Sequence, residues 1–200
     1  MKHWTILLFF LIILGLVGCS HLKPLQTQSV EIAQGVSLQL MSPATLGISQ
    51  AITQSVTIKH ANEEHNLLAQ IEIDSDSHSL IFVGMTPLGN RLFSIEYRAN
   101  RWHYEVDPML QDRIKLEYLL ADFQLSYWFP ELLQQRLSGG ILQLEAANRR
   151  AIYRDRDRDG KKLIDIRYDD KSAPWKGRLE LRHLERHYSV FVETLSVEKL

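Results

Sequence analysis

From residue 53 onward apolar and polar residues alternate with a period of two for most of the chain, and only one stretch breaks the pattern. TQSVTIKH sets Val56 and Ile58 on one face, and HNLLAQIEID sets Leu67, Ala69, Ile71 and Ile73 against Gln70, Glu72 and Asp74. Successive strand residues point to opposite faces, so this alternation predicts half-buried strands. SLIFVGM is apolar on both faces and is expected to be a strand covered on both sides. TPLGN after it has turn composition. RLFSIEYR and RWHYEVD alternate again and can be paired. A two-residue loop at Ala99-Asn100 puts Tyr97 opposite Trp102, Ile95 opposite Tyr104 and Phe93 opposite Val106. Those six share one aromatic-rich face, with Ser94, Glu96, His103 and Glu105 on the other. A slip of one residue would bury the polar set, which fixes the register.

After Asp107-Pro108 the period changes. DRIKLEYLLADFQLSYWF carries one helical stripe of Ile114, Tyr118, Ala121 and Leu125, beside a second of Leu116, Leu120, Phe123 and Tyr127. A helix apolar over that much of its circumference must be enclosed. Pro130 suits the first turn of a second short helix, PELLQQRL, which Ser138-Gly139-Gly140 stops. Period two then resumes through ILQLEA, RRAIYR, KKLIDIRY, GRLELRHL and HYSVFVETL. Antiparallel strands interrupted by helices predict an α+β domain with an incomplete barrel.

The N-terminus is of a different kind. Lys2 and His3 precede an apolar run from Trp4 to Val17, 14 residues, against the roughly 20 of a spanning helix. A positive start, an apolar run and small residues describe a secretory signal. Leu16-Val17-Gly18-Cys19 looks like a bacterial lipobox, in which Cys19 takes a diacylglycerol thioether and becomes the new N-terminus. The alternatives are a membrane span, or an incidental cysteine in an ordinary signal peptide. Cys19 is the only cysteine, so the chain can form no internal disulfide. Two thioether-linked chains plus an N-acyl chain would anchor it durably. Ser20 in place of Asp, as in outer-membrane lipoproteins of enteric bacteria, implies export to the outer membrane. The expected organisation is a signal peptide at 1–18, a lipidated N-terminus, tether and first element at 19–50, and one domain at 51–200.

A net charge of −1 gives no global pull toward nucleic acid. DRDRDG, from Asp155 to Gly160, resembles the start of a calcium loop, but its twelfth position is Ile166 where a Glu is required. Asp159-Gly160 reads better as the turn of a charged hairpin. Residues 149–162 hold seven Arg or Lys and three Asp, a basic tip that is either solvated or set against lipid phosphates. His183 and His187 fall at a strand-turn-strand corner, where their spacing suits no metal. There is no G-x-S-x-G elbow, phosphate loop or paired cysteine ligands. No catalytic residue, metal or cofactor is expected beyond covalent lipid on Cys19.

LIFVGMTPLGNRLFSIEY, residues 80–97, resembles the corresponding strand-turn-strand of the outer-membrane lipoprotein receptors of the LolA/LolB superfamily. LLADFQLSYWFP and KLIDIRYDDKSAPWKGRLEL resemble that family's helical segment and late strands, and the likeness spans most of residues 50–197. The chain is also similar to a family of small bacterial lipoproteins encoded beside aryl polyene gene clusters, through TPLG-x-R, LLAD-x-QL-x-x-W-x-P and I-x-Y. The resemblance implies an antiparallel half-barrel with a helical lid or plug. It implies a delivery loop at Pro87, Leu88 and Gly89, whose leucine protrudes toward the bilayer. It further implies a monomer anchored on the periplasmic face of the outer membrane, an acylated lipoprotein or lipid as cargo, and a periplasmic LolA-like donor. The detailed aromatic lining and the basic tip depart from the receptor pattern.

Read from the residues alone, Leu88 between Pro and Gly projects or folds back onto the core. The residues Phe93, Ile95, Tyr97, Trp102, Tyr104, Leu120, Phe123 and Trp128 also have two readings. They are core packed around the helix, or the lining of an apolar concavity that receives acyl chains; the resemblance favours the second. A dedicated factor for a polyene-type lipid, and a structural lipoprotein that docks a protein partner, are the other classes compatible with the sequence.

Overall fold

The computed structural model describes residues 23–24, 28–98, 100–111, 115–155, 160–170 and 174–200. The lipobox with Cys19, Ala99 of the hairpin loop, Ile114 and residues 156–159 of the basic tip lie outside the described residues. In chain order the strands are β1 (Lys23–Pro24), β2 (Ser29–Ala33), β3 (Val36–Gln39), β4 (Ser49–His60), β5 (Glu63–Asp74), β6 (Ser79–Met85), β7 (Arg91–Arg98) and β8 (Arg101–Val106). Helices α1 (Leu116–Tyr127) and α2 (Pro130–Arg136) follow, then β9 (Leu137–Ser138), β10 (Gly140–Ala146), β11 (Arg149–Arg154), β12 (Lys162–Tyr168), β13 (Arg178–His183) and β14 (Tyr188–Lys199). Short 3-10 turns occupy Pro43–Leu46 and Pro108–Leu110.

Eleven strands form one antiparallel sheet in the order β1-β8-β7-β6-β5-β4-β14-β13-β12-β11-β10, and β2-β3-β9 form a second. The sheet is open: its first and last strands do not pair with each other. It curves around α1, because side chains from β4, β6, β11, β12 and β14 all reach that one helix. The result is the α+β half-barrel that the pattern predicts, with α1 as a plug. The small sheet closes over α1 from another side, through Met41 just beyond β3.

The β7–β8 register is the predicted one, with Phe93 opposite Val106, Ile95 opposite Tyr104 and Tyr97 opposite Trp102. Asn100 takes a left-handed φ of 59°, as a tight hairpin loop requires, and accepts a hydrogen bond from Tyr97 Oη at 2.7 Å. Ser94, expected on a polar face, is nonetheless buried. α1 is enclosed as expected, with Leu116, Leu120, Ala121, Phe123, Leu125 and Tyr127 all buried.

One feature differs from expectation. SLIFVGM is not covered on both sides: Leu80 and Phe82 point into the core, while Ile81 is 41% exposed and Val83 half-buried on the outer face. Those two line a shallow outer groove of about 260 Å³ with Ala51, Gln70 and Glu72. An unbroken apolar run does not by itself separate a doubly covered strand from one whose outer side chains border a groove. Within 19–50, the stretch expected to hold a tether and a first element, the chain already contributes core strands. Val30, Ile32, Val36, Leu38, Leu40 and Met41 of the β2–β3 region are all buried.

Candidate functional site

The inner face of the sheet and the facing side of α1 bring most of the predicted lining together. Phe93, Ile95, Tyr97, Trp102, Leu120, Phe123 and Trp128 are buried, and Tyr104 is half-buried at their margin. Phe123 is the centre of an aromatic cluster. Its ring centroid lies 5.3 Å from Phe82, 5.2 Å from Tyr127, 5.7 Å from Trp128 and 6.0 Å from Trp175. Trp175 stacks on Tyr127 with centroids 4.0 Å apart and planes 12° from parallel. Phe93 meets Phe82 edge-on at 5.6 Å, and Tyr97 meets Trp102 at 4.8 Å. Edge-on and offset contacts of this kind are the favoured aromatic geometries. Phe93 lies flat over Gly84, where a Cβ would come within 2.2 Å of its ring; only glycine leaves that space.

Polar groups fasten α1 inside this apolar surround. The last carbonyls of a helix have no partner within it. Here Arg150 of β11 donates from Nη1 to Leu125 O at 3.2 Å and Trp128 O at 2.8 Å. Tyr168 of β12 donates to Ser126 O at 2.6 Å. A cation at this end also opposes the helix dipole favourably. Arg150 is 8% exposed and stacks on the Tyr168 ring at 5.0 Å. Its pKa is lowered, chiefly by burial, and that of Tyr168 is raised for the same reason. Gln124 pairs its side-chain amide with the backbone of Met41, accepting from its N and donating to its O, both at 2.9 Å. Gln54 of β4 donates to Tyr127 Oη at 2.8 Å, and burial pushes the Tyr127 hydroxyl up to about 12. Trp128 Nε1 donates to Thr45 Oγ1 at 2.7 Å.

On the opposite side of α1, Tyr188 Oη donates to the Asp122 carboxylate. Arg186 lies 3.7 Å over the Tyr118 ring. Burial raises the Asp122 carboxyl to about 7, with Tyr188 and Arg186 acting against the shift. His183 is buried against Ile32 O at 2.6 Å, and desolvation lowers it to about 4. It is a core histidine at the corner between β13 and β14.

The β6–β7 turn holds Pro87, Leu88 and Gly89 out from the body. Leu88 is 90% exposed, so of its two readings the projecting one is observed. The turn is rigid: Gly89 N donates to Thr86 O at 2.9 Å and Thr86 N to Asn90 O at 2.8 Å, with Gly89 at φ 87°.

Sequence reasoning missed Phe82 and Trp175 as partners of the predicted lining, and Gln54, Gln124, Arg150 and Tyr168 as fasteners of α1. Phe82 was legible from the alternation Leu80, Phe82, Gly84. The polar fasteners carry no local signal, since each meets a partner at least 22 residues away in the chain. Among the described residues no group of three or more His, Cys, Asp or Glu could hold a metal ion, and no helix is long and apolar enough to cross a membrane.

Residues 51–196, from β4 almost to the end of β14, match the family model described as "Protein of unknown function (DUF3261)". This chain belongs to the DUF3261 family. No curated protein sequence matches the DUF3261 chain. Two solved structures are similar to it at a TM-score of 0.42. A LolA superfamily protein from Nitrosomonas europaea is 11% identical, with 76% of this chain and 86% of that one covered. A domain from Vibrio parahaemolyticus, described as a candidate outer membrane lipoprotein-sorting protein, is 12% identical, with coverages of 76% and 85%.

Proposed function

We propose that this DUF3261 protein is an envelope lipoprotein, anchored through Cys19 on the periplasmic face of the outer membrane. It takes an acyl-bearing cargo, a lipoprotein or a lipid, onto its aromatic concave face and passes it to the bilayer near Leu88. The observation that carries the reading is a leucine 90% exposed on a rigid turn at one end of an aromatic-lined half-barrel. A large apolar side chain held in water on a tight turn has a use if its working surroundings are apolar. Desolvation of the acyl chain drives capture, and release needs an equally apolar destination, which the bilayer supplies. The mechanism is non-covalent, and a periplasmic LolA-like carrier is the donor it implies. A polyene-type lipid as cargo would leave every one of these steps unchanged.

The packing favours a second reading. Phe93, Leu120 and Trp128 are at most 1% exposed, with α1 occupying the concavity. A half-barrel filled in this way also suits an anchored scaffold that docks a protein partner. Native mass spectrometry of a soluble form beginning at Ser20 separates the two. Co-purified lipid or acylated peptide supports carriage, whereas clean protein that also ignores added lipid leaves the scaffold. In cells depleted of the normal protein, Leu88→Glu is expected to impair cargo delivery; unchanged delivery removes the turn from the mechanism.

A further inference from the structure

Met109 is 84% exposed, second only to Leu88 among the exposed large apolar residues that the structure describes. It sits on the 3-10 turn that follows β8, and Leu88 on the turn that precedes β7. The two strands are neighbours, and Asp107 N donates to Leu92 O at 2.9 Å where they leave the sheet. Both turns therefore project from the same end of the half-barrel. Each turn is closed by hydrogen bonds within itself. Asn90 N donates to Thr86 Oγ1 at 3.1 Å, Met109 N to Asp107 Oδ1 at 2.9 Å and Leu110 N to Asp107 O at 2.8 Å. Backbone groups without partners are what most strongly exclude loops from an apolar phase, and these internal bonds reduce that penalty, so the tips suit the shallow acyl boundary and not the bilayer core.

The direction of β1 bears on the same end. Lys23 pairs with Tyr104 and Pro24 with His103, antiparallel to β8. β8 runs toward the Met109 turn, so the chain enters β1 from that end. Cys19 is four residues upstream of Lys23, and covalent geometry holds it within about 14 Å of Lys23.

We propose that Leu88 and Met109 form a two-pronged edge that enters the acyl boundary of a lipid bilayer, with the end of the sheet that carries them turned toward the membrane. The inference rests on the membrane reading of Leu88 and adds a second insertion residue and an orientation. Two separated apolar tips suit a fluid lipid surface better than a shaped protein partner, which would meet a contiguous apolar patch. Full burial of each side chain is worth roughly ten- to a hundredfold in partitioning. A lipid on Cys19 would supply the durable anchor and the prongs would set the tilt.

The test uses the mature chain with the Cys19 thiol blocked by its lipid, in vesicles of phosphatidylethanolamine and phosphatidylglycerol, with Leu88→Cys, Met109→Cys, Phe129→Cys and Leu144→Cys each labelled by an environment-sensitive fluorophore. Phe129 and Leu144 are exposed apolar controls at the N-cap of α2 and on β10. The expected result is a blue shift with a several-fold rise in emission, quenched by spin-labelled acyl chains, at 88 and 109 only. Insertion at 88 with a water-like spectrum at 109 overturns the second prong and leaves the delivery reading standing. Water-like spectra at both overturn the two together. Insertion at 129 or 144 overturns the orientation.

Discussion

Replacing Arg150 by methionine tests whether α1 is held at its C-terminus by the sheet. Methionine keeps the length and the apolar stem but brings no donor. Leu125 O and Trp128 O then lose their shared donor in a region where both residues are 0% exposed. A hydrogen bond to a charged group contributes about 1.5–3 kcal/mol, so two give about 3–6 kcal/mol gross. Part of this is offset because the guanidinium no longer has to be desolvated, the same burial that lowers its pKa. The net expectation is a loss of about 2–4 kcal/mol, a large share of a typical total of roughly 5–15 kcal/mol. With a urea slope of about 2 kcal/mol per molar, the unfolding midpoint falls by about 1–2 M. Arg150→Lys keeps the charge without the planar fork and is expected to lose less. Tyr168 serves the neighbouring Ser126 carbonyl and stacks on Arg150, so a double-mutant cycle with Tyr168→Phe should show coupling above about 0.5 kcal/mol. Equilibrium urea unfolding followed by tryptophan fluorescence measures all three. A loss below about 1 kcal/mol for Arg150→Met at unchanged slope refutes the capping role.

Two further outcomes follow from the same interior. Gly84→Ala forces a Cβ into the Phe93 ring, and Phe82 leaves that ring little room to turn; overpacking of this kind costs about 1–3 kcal/mol. Adding Phe93→Leu should make the double variant less destabilised than the sum of the singles by at least about 1 kcal/mol, and additive losses by urea unfolding would remove the contact as the cause. The pH dependence has two opposing parts. Asp122, raised to about 7 when folded against about 3.9 unfolded, makes stability fall as pH rises from about 4 to 7. His183, lowered to about 4 against about 6.5 unfolded, makes stability fall as pH drops from about 6.5 to 4. Asp122→Asn removes the first slope, so its thermal midpoint should rise from pH 4 to 6.5 more steeply than the wild type's; parallel profiles would contradict the assignment.

The strands were legible because their inner faces are apolar and most outer faces polar, which is the pattern that period-two reading detects. The β7–β8 register was legible for the same reason, with aromatic residues collected on one face. β6 misled because Ile81 and Val83 are apolar yet face outward beside a groove. The partners of the α1 fasteners could not be read. Gln54 and Arg150 fall on the same alternation faces as Val56 and Ile152, and Gln124 lies in line with Leu116 and Leu120, so their positions are inward although their side chains are polar. What they bond to has no local signal: Gln124 meets Met41 across 83 positions of chain. The segment from Ser29 to Met41 falls within the stretch read as a tether merging into a first element, where many Gln, Ser and Thr obscure the boundary. It becomes core because Val30, Ile32, Val36 and Leu38 alternate to one side over α1.

The distribution of these fasteners bears on how the carrier reading could work. Gln124, Leu125, Ser126, Tyr127 and Trp128 all take part in buried polar bonds to the sheet or to the Met41–Thr45 segment. Pulling that end of α1 away would leave several donors and acceptors without partners at once, which is the costly way to open a protein interior. The first turns of α1 are held differently. Lys115 caps the helix without a side-chain hydrogen bond, Leu116 and Leu120 make apolar contacts, and Tyr118 and Asp122 meet Arg186 and Tyr188 at a half-buried margin. An acyl chain can replace apolar contacts like for like, but it cannot replace the carbonyl partners of Arg150 and Tyr168. On the carrier reading, space for cargo would therefore open at least cost along the N-terminal half of α1, which begins a few residues beyond the Met109 turn. That is the end at which Leu88 projects, so entry between helix and sheet and exit toward a bilayer would use the same end of the half-barrel.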